Sequence, residues 1–335
     1  MSSSESLYEY LYNVTDEINR YFSIVILLFG TIGNLLNIVV LSHRTFRLNP
    51  CAWLFLISST ANLLTLLSGL TTRTLAGWAV DPTNTLDWLC KLRGFMIYYG
   101  RTVAYWLIVL ATIDRWFLSH ANINQRQKSC LKNVQKGTLI VSILSIFLYL
   151  HLFYCYRANL IGTPLPCYSF NKTCRYLIDV VAFLMSIILP IALIIIFGLM
   201  TIYNIRRSRN RVNVFNNSHI QESTRLSTLS FINRRRITRQ TRKTDRYLFK
   251  MLIIQSILLT LFTLPLVVER IYSMFIRPQK TPLESAIDQL IYNLSVLLNY
   301  LTNGMPFYIY TLFGGHTFRR KLFDMIKSIC HGINS

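Results

Sequence analysis

The sequence predicts an all-α membrane protein, a bundle of seven transmembrane helices followed by a short amphipathic eighth helix. Three observations predict it. Charged residues make up only 15% of the 335-residue chain and hydrophobic residues 52%, whereas soluble domains run nearer a quarter charged. Apolar stretches of about 20 residues, enough to cross a bilayer core of roughly 30 Å, recur along the chain. They fall at roughly 22–43, 52–72, 94–119, 137–157, 176–204, 247–275 and 286–311. Basic residues then crowd into alternate connecting segments.

That charge sets the expected orientation. The chain carries 35 Lys and Arg against 14 Asp and Glu, a formal net charge of +21. With the N-terminus outside, segments 43–51, 119–136, 202–250 and 315–335 hold 23 of the basic residues, and the opposite segments hold nine. The positive-inside rule expects this asymmetry. The basic surface is read as facing anionic inner-leaflet lipid and cytoplasmic partners. Nucleic acid is disfavoured, because no soluble module is left to carry it. The expected location is the plasma membrane.

Residues 1–21 read as a polar, acidic extracellular tail without a cleavable signal peptide. The first span then acts as its own insertion signal, with Arg44 and Arg47 holding its far end inside. Asn13 in Asn13-Val14-Thr15 is a glycosylation candidate on this tail, and Asn171 in Asn171-Lys172-Thr173 is another in an outer loop. The bundle is expected over 22–314. Within it, 205–246 is a long basic cytoplasmic loop rich in Ser, Thr and Asn, flexible in the middle and helical at its ends. Residues 315–335 form the cytoplasmic tail. There "GGHTFRRKLFDMIKSIC" sets Phe318, Leu322, Phe323 and Ile326 at helical spacing beside Arg319, Arg320 and Lys327, as in a helix lying on the membrane surface. Cys330, just beyond, is a palmitoylation candidate. Of the seven cysteines, Cys90, Cys167 and Cys174 face the oxidising side. Cys90 is expected to pair with Cys167, with Cys174 as the competing partner. Cys51 and Cys155 are expected to be small apolar packing residues.

The third span ends abruptly in "LATIDRWFLSH", an adjacent acid and base, Asp114 and Arg115. Charges at membrane depth are usually paired, at a helix end, or functional. Cys90 lies 25 residues before Arg115, about 38 Å of helix, a whole membrane thickness with tilt. In the sixth span Asp245 lies 20 residues before Pro265, about 30 Å, which sets Asp245 at the depth of Arg115. An acid and an arginine at one depth on two helices are a candidate latch. Arg101, about 21 Å outward of Arg115, stands well inside the membrane and demands a partner. It is either an anchor for a ligand carboxylate or carbonyl or part of an internal network, for which Glu269 is the candidate partner.

These landmarks resemble those of the rhodopsin-like G-protein-coupled receptors, and the resemblance covers essentially the whole chain. "DRW" at 114–116 looks like the family's Asp-Arg-Tyr motif, Gly33-Asn34 like the first-helix motif, and Cys90 like the cysteine at the top of the third helix. Pro190, Pro265 and Pro306 match the prolines of the fifth, sixth and seventh helices. The resemblance implies that Arg115 meets a heterotrimeric G protein when the third and sixth helices separate. Receptor kinases and arrestin would act through 205–246, where Ser227, Thr228, Ser230 and Thr238 are phosphorylation candidates.

The departures are informative. Asn62, Ala104 and Met305 stand where the family has most ligands of its sodium site, so no sodium modulation is expected. Thr263 replaces the sixth-helix toggle tryptophan and Gly198 the fifth-helix tyrosine, with Tyr105, Tyr308 and Tyr310 as possible substitutes. Ile97 in place of an aspartate disfavours amine ligands, and Asn299 in place of a lysine disfavours retinal. Candidate ligand contacts are Ile97, Tyr98, Arg101, Glu269, Arg270 and Asn299. The acidic, Tyr-rich N-terminus and the loop "PCYSFNKTCRY" fit a wide, polar entrance of peptide-receptor type, and neuropeptide receptors of the FMRFamide kind are the nearest resemblance. A small anionic or lipid ligand is the alternative, and a seven-helix transporter or channel is the rival class. No catalytic set stands out, so neither an enzyme nor a cofactor is expected.

Overall fold

The structure is a computed structural model and describes residues 3–78, 80–161, 166–218, 250–272, 281–313, 318–320 and 322–324. Among these, six helices are long and apolar enough to cross a membrane: Leu7–Leu41, Pro50–Gly77, Asp87–Ser119, Leu131–Cys155, Lys172–Ser208 and Lys250–Tyr272. They are called the first to sixth helices below. The chain is an all-α, multi-pass membrane protein, its β structure among the described residues confined to one two-residue hairpin pair.

Packing separates a core from a lipid face. Only 17% of the most apolar window of the fifth helix and 22% of that of the fourth are buried. Leu139, Phe147, Ile195 and Leu199 point outward from them. An apolar surface of this extent matches hydrocarbon rather than water. The third helix lies at the other extreme. Its Val103, Ala104, Leu107, Ile108 and Ala111 are buried in one cluster with Leu54 and Phe55 of the second helix and Met251 and Leu252 of the sixth.

Several boundaries differ from the sequence reading. The tail 1–21 is helical over Ser3–Glu17 and passes through a π turn, Ile18–Phe22, into Ser23–Leu41. Nothing before Gly30 is a glycine or proline, so no residue stops the helix. The third helix starts at Asp87, seven residues before its apolar window, and Asp87 pairs with Lys91 one turn on at 2.6 Å. An apolar count sees only the part of a helix that meets lipid. The fourth helix likewise begins early, over Leu131–Tyr149, and a separate turn, Leu152–Cys155, follows it.

The seventh apolar stretch, 286–311, is not one helix. It forms Pro282–Gly304 and then Pro306–Phe313, and it is not among the six that meet the length and apolarity test. Pro306 has no N–H to carry a helix onward, so it serves as a fresh first residue instead. The helix begins with a capping box, in which Glu284 N donates to Thr281 Oγ1 at 3.3 Å and Thr281 N to Glu284 Oε2 at 2.9 Å. Pro190 is accommodated differently, just after a π turn at Leu184–Ile188. A wider turn relieves the clash of the proline ring with the preceding carbonyls. Pro265 lies within the unbroken sixth helix. Past it, residues 318–320 and 322–324 are helical, and Phe318 and Leu322 are buried against the bundle. Asp245, Ser227, Thr228, Ser230, Thr238 and Cys330 lie outside the described residues.

The first helix and Pro282–Gly304 meet through two glycines. A Cβ on Gly304 would stand 2.9 Å from Gly30 Cα, and one on Gly30 only 3.2 Å from Gly304 Cα. Close backbone approach through small residues is how membrane helices gain packing energy when burial from water contributes little. Gly304→Val should therefore destabilise the bundle by about 1–3 kcal/mol, read as a lowered melting temperature of the purified protein in detergent.

Candidate functional site

Two disulfides shape one end of the bundle. Cys90 at the start of the third helix pairs with Cys167, as expected. Cys155 packs in a buried cluster with Tyr149, Leu152 and Ile178, but it is not a free packing residue. It pairs with Cys174, which also removes Cys174 as a partner for Cys90. The sequence reading set Cys155 inside the fourth span, but it closes the separate turn Leu152–Cys155 at the end of that span, where it meets Cys174 near the start of the fifth helix. Between the bonds, Tyr156–Arg157 and Tyr168–Ser169 pair antiparallel, with Tyr156 opposite Ser169. Asn171 caps the next helix, accepting from Cys174 N at 2.7 Å. Both sequon asparagines, Asn13 and Asn171, are exposed.

Beneath the hairpin lies a cavity of about 100 Å³. Among the described residues its walls hold five arginines, Arg73, Arg93, Arg101, Arg175 and Arg270, and a single carboxylate, Asp179. Tyr98, Tyr156, Tyr168, Tyr292 and Tyr300 supply aromatic surface. Burial pushes the hydroxyl pKa values of Tyr156 and Tyr168 above the usual tyrosine range, so neither phenol offsets the positive charge.

The arginines are answered unequally. Arg270 lies 3.0 Å and Arg175 3.8 Å from Asp179, and Arg93 lies 3.6 Å from the buried Asp81 outside the walls. Arg73 donates instead to two amide oxygens, Asn19 Oδ1 at 3.0 Å and Asn293 Oδ1 at 2.5 Å. Arg101 lies over the Tyr300 ring, 5.4 Å from its centroid, and its buried Nε has no hydrogen-bond partner.

Of the six candidate contacts, Ile97, Tyr98, Arg101 and Arg270 are in these walls, and Glu269 and Asn299 are not. The Arg101–Glu269 pair does not form; Glu269 lies 3.9 Å from its neighbour Arg270. Asn299 faces inward and donates to Thr263 Oγ1 at 3.4 Å. Arg73, Arg175 and Asp179 were missed because sequence counting treated Arg73 and Arg175 as loop charge at span ends. No local signal marks them: Arg73 follows Gly69 by one helical turn on the same face, but only packing brings the Tyr300 hydroxyl into the space above Gly69.

Below the cavity a column of polar contacts joins the helices. Thr102 Oγ1 lies 2.7 Å from Tyr149 Oη and 2.6 Å from Ser186 Oγ, tying the third, fourth and fifth helices. Tyr105 Oη meets Thr302 Oγ1 at 3.3 Å, and Tyr310 Oη donates to Gln255 Oε1 at 2.9 Å. Tyr105 and Tyr310 thus bridge helices within the core, while Tyr308 bridges to the first helix, stacking on Phe29 and donating to its carbonyl at 3.0 Å. Asn62, Tyr105, Gln255, Thr302 and Met305 line a second cavity of about 10 Å³, enough for one water. Ala104 is buried on the third helix, and its carbonyl accepts from Ser58. Gly198 has nothing within 4 Å of where a Cβ would sit.

At the far end of the third helix Asp114 and Arg115 are both buried, their side chains 2% and 3% exposed. Arg115 Nη2 donates to Asp114 Oδ2 at 3.2 Å and to Asn49 Oδ1 at 3.3 Å. Asn49 is itself the cap of the second helix, accepting from Cys51 N at 3.0 Å. Ser129 Oγ donates to Asp114 Oδ1 at 2.5 Å. The guanidinium is thus held where the second and third helices meet, with a loop hydroxyl closing on its carboxylate. The latch to Asp245 falls outside the described residues.

Tyr310→Phe would leave Gln255 Oε1 without that donor in a buried site. It should lower stability by about 1–3 kcal/mol, checked by thermal melting in detergent. Comparison with known proteins adds no relative: no protein-family model matches the chain, and no curated protein does.

Proposed function

We propose that this chain is a plasma-membrane receptor of the rhodopsin-like G-protein-coupled kind, with its N-terminus outside. In this reading Pro282–Gly304 and Pro306–Phe313 together form the seventh helix, and the segment from 318 is the amphipathic eighth. One observation carries the proposal. A cation-rich cavity and a buried Asp114–Arg115 pair lie toward opposite ends of one continuous helix, Asp87–Ser119, with Arg101 and Arg115 about 21 Å apart along it.

The arrangement suits a signal relay. A ligand entering between the disulfide-bonded hairpin and the helices meets Arg101 and Tyr300. Its binding energy biases the contacts below, Tyr105 with Thr302 and Gln255 with Tyr310, which bridge the third and sixth helices to the last one. If the ligand binds more tightly to the arrangement in which the sixth helix has moved outward, the population shifts that way. Arg115 and the basic loop then become available to a G-protein α subunit. Kinases and arrestin would read the same loop, and its charge would lie against anionic inner-leaflet lipid.

A test combines cells expressing the chain, a promiscuous G protein and libraries of peptides and small organic anions. Nucleotide exchange should follow ligand addition. Arg115→Ala should abolish it while leaving ligand affinity unchanged. A ligand-free ionic current, or an N-terminal epitope reachable only after permeabilising the cell, would overturn the receptor reading.

A further inference from the structure

Arg73 and Arg101 present two charges to the outer cavity for which the described residues supply no carboxylate. The neighbouring arginines show what an answered charge looks like here: Arg270 and Arg175 share Asp179, and Arg93 faces Asp81. Arg73 has only the amide oxygens of Asn19 and Asn293, and Arg101 only the face of Tyr300. Amide oxygens and a π face orient a guanidinium but bring partial charge, not a full negative one. Arginine does not shed its proton in proteins, so neither cation can neutralise itself. A charge kept inside a membrane bundle without an opposite charge is expensive and marks a binding path. Arg101 adds a direct sign of vacancy in its buried Nε–H, which has no acceptor.

We infer that the outer cavity binds a small organic anion with two oxyanion charges, one for Arg73 and one for Arg101, as a dicarboxylate or a phosphate monoester would supply. This rests on reading the cavity as the ligand site. Its volume, about 100 Å³, suits a compact head group rather than the body of a long ligand. Arginine's fixed fork matches the paired oxygens of carboxylate and phosphate. Ile97, Leu266 and Val296 give the carbon skeleton an apolar wall. The excess positive charge repels cations, so an amidated peptide ending in Arg-Phe, which brings a guanidinium and no carboxylate, is rejected by the same side chains.

The test uses the purified full chain in nanodiscs of neutral phosphatidylcholine, with phthalate and phenyl phosphate as probes and benzamide as the uncharged control. At least one of the two anions should bind saturably and benzamide should not; which anion binds tells carboxylate from phosphate. Arg73→Gln and Arg101→Gln should each weaken binding about tenfold or more, with Arg126→Gln, an exposed arginine at the opposite end, unchanged. Where a glutamine variant does not fold, the lysine variant at that position is read instead. It keeps the charge and loses the fork, and should weaken binding about threefold. No saturable anion binding at millimolar concentration, equal binding of benzamide, or indifference to both substitutions would overturn the inference. An amidated Arg-Phe peptide binding more tightly than either anion would do the same. The two proposals fail separately. Anion binding without nucleotide exchange would sink the receptor and leave the site, whereas ligand-driven exchange untouched by both substitutions would sink the site and leave the receptor.

Discussion

A guanidinium inside a helical bundle keeps its charge, and the surrounding structure has to answer it. In this chain that demand organises both ends of the molecule. At one end Arg115 donates to Asp114 and to the cap residue Asn49, so the charge has an acid beside it. At the other, five arginines converge on a cavity whose walls offer one carboxylate among the described residues. The cost of an unmatched charge in a low-dielectric site is several kcal/mol. The difference between the two ends is therefore a difference in what each still lacks.

The third helix links them. With the second helix it is the most enclosed of the long helices, and it carries the cavity residues Ile97, Tyr98 and Arg101, the bridging residues Thr102 and Tyr105, and the Asp114–Arg115 pair. Around it polar side chains form small hydrogen-bonded sets, each spanning two or three helices. Such contacts between membrane helices are individually modest. The disulfides have the opposite character. Cys90–Cys167 and Cys155–Cys174 pin the hairpin over the cavity from both sides, which holds its rim in place covalently.

Much of the architecture is legible in the sequence. Apolar windows of membrane length located the helices, because lipid imposes that length and that composition directly. The same windows misplaced the ends of the third and fourth helices, since a helix continues into water wherever propensity and capping allow. Cys155 was misread for this reason, its position having been judged from an apolar run that outlasts the helix. The break at Pro306 was written in the chain as a residue without an N–H, but an apolar count passes over it.

By itself the sequence determined a multi-pass helical chain, the alternation of its basic segments and the identity of Arg101 and Arg115 as charges needing explanation. Hydropathy and charge act over short stretches and do not depend on which helices become neighbours. Only the tertiary structure decided which arginines meet an acid and which do not. Asn19 and Asn293, which hold Arg73, lie 54 and 220 residues from it along the chain. Tyr300, beneath Arg101, is just as far beyond the reach of any local pattern. Pairings at that separation are set by helix packing, and packing is what turns scattered outer charges into one cavity.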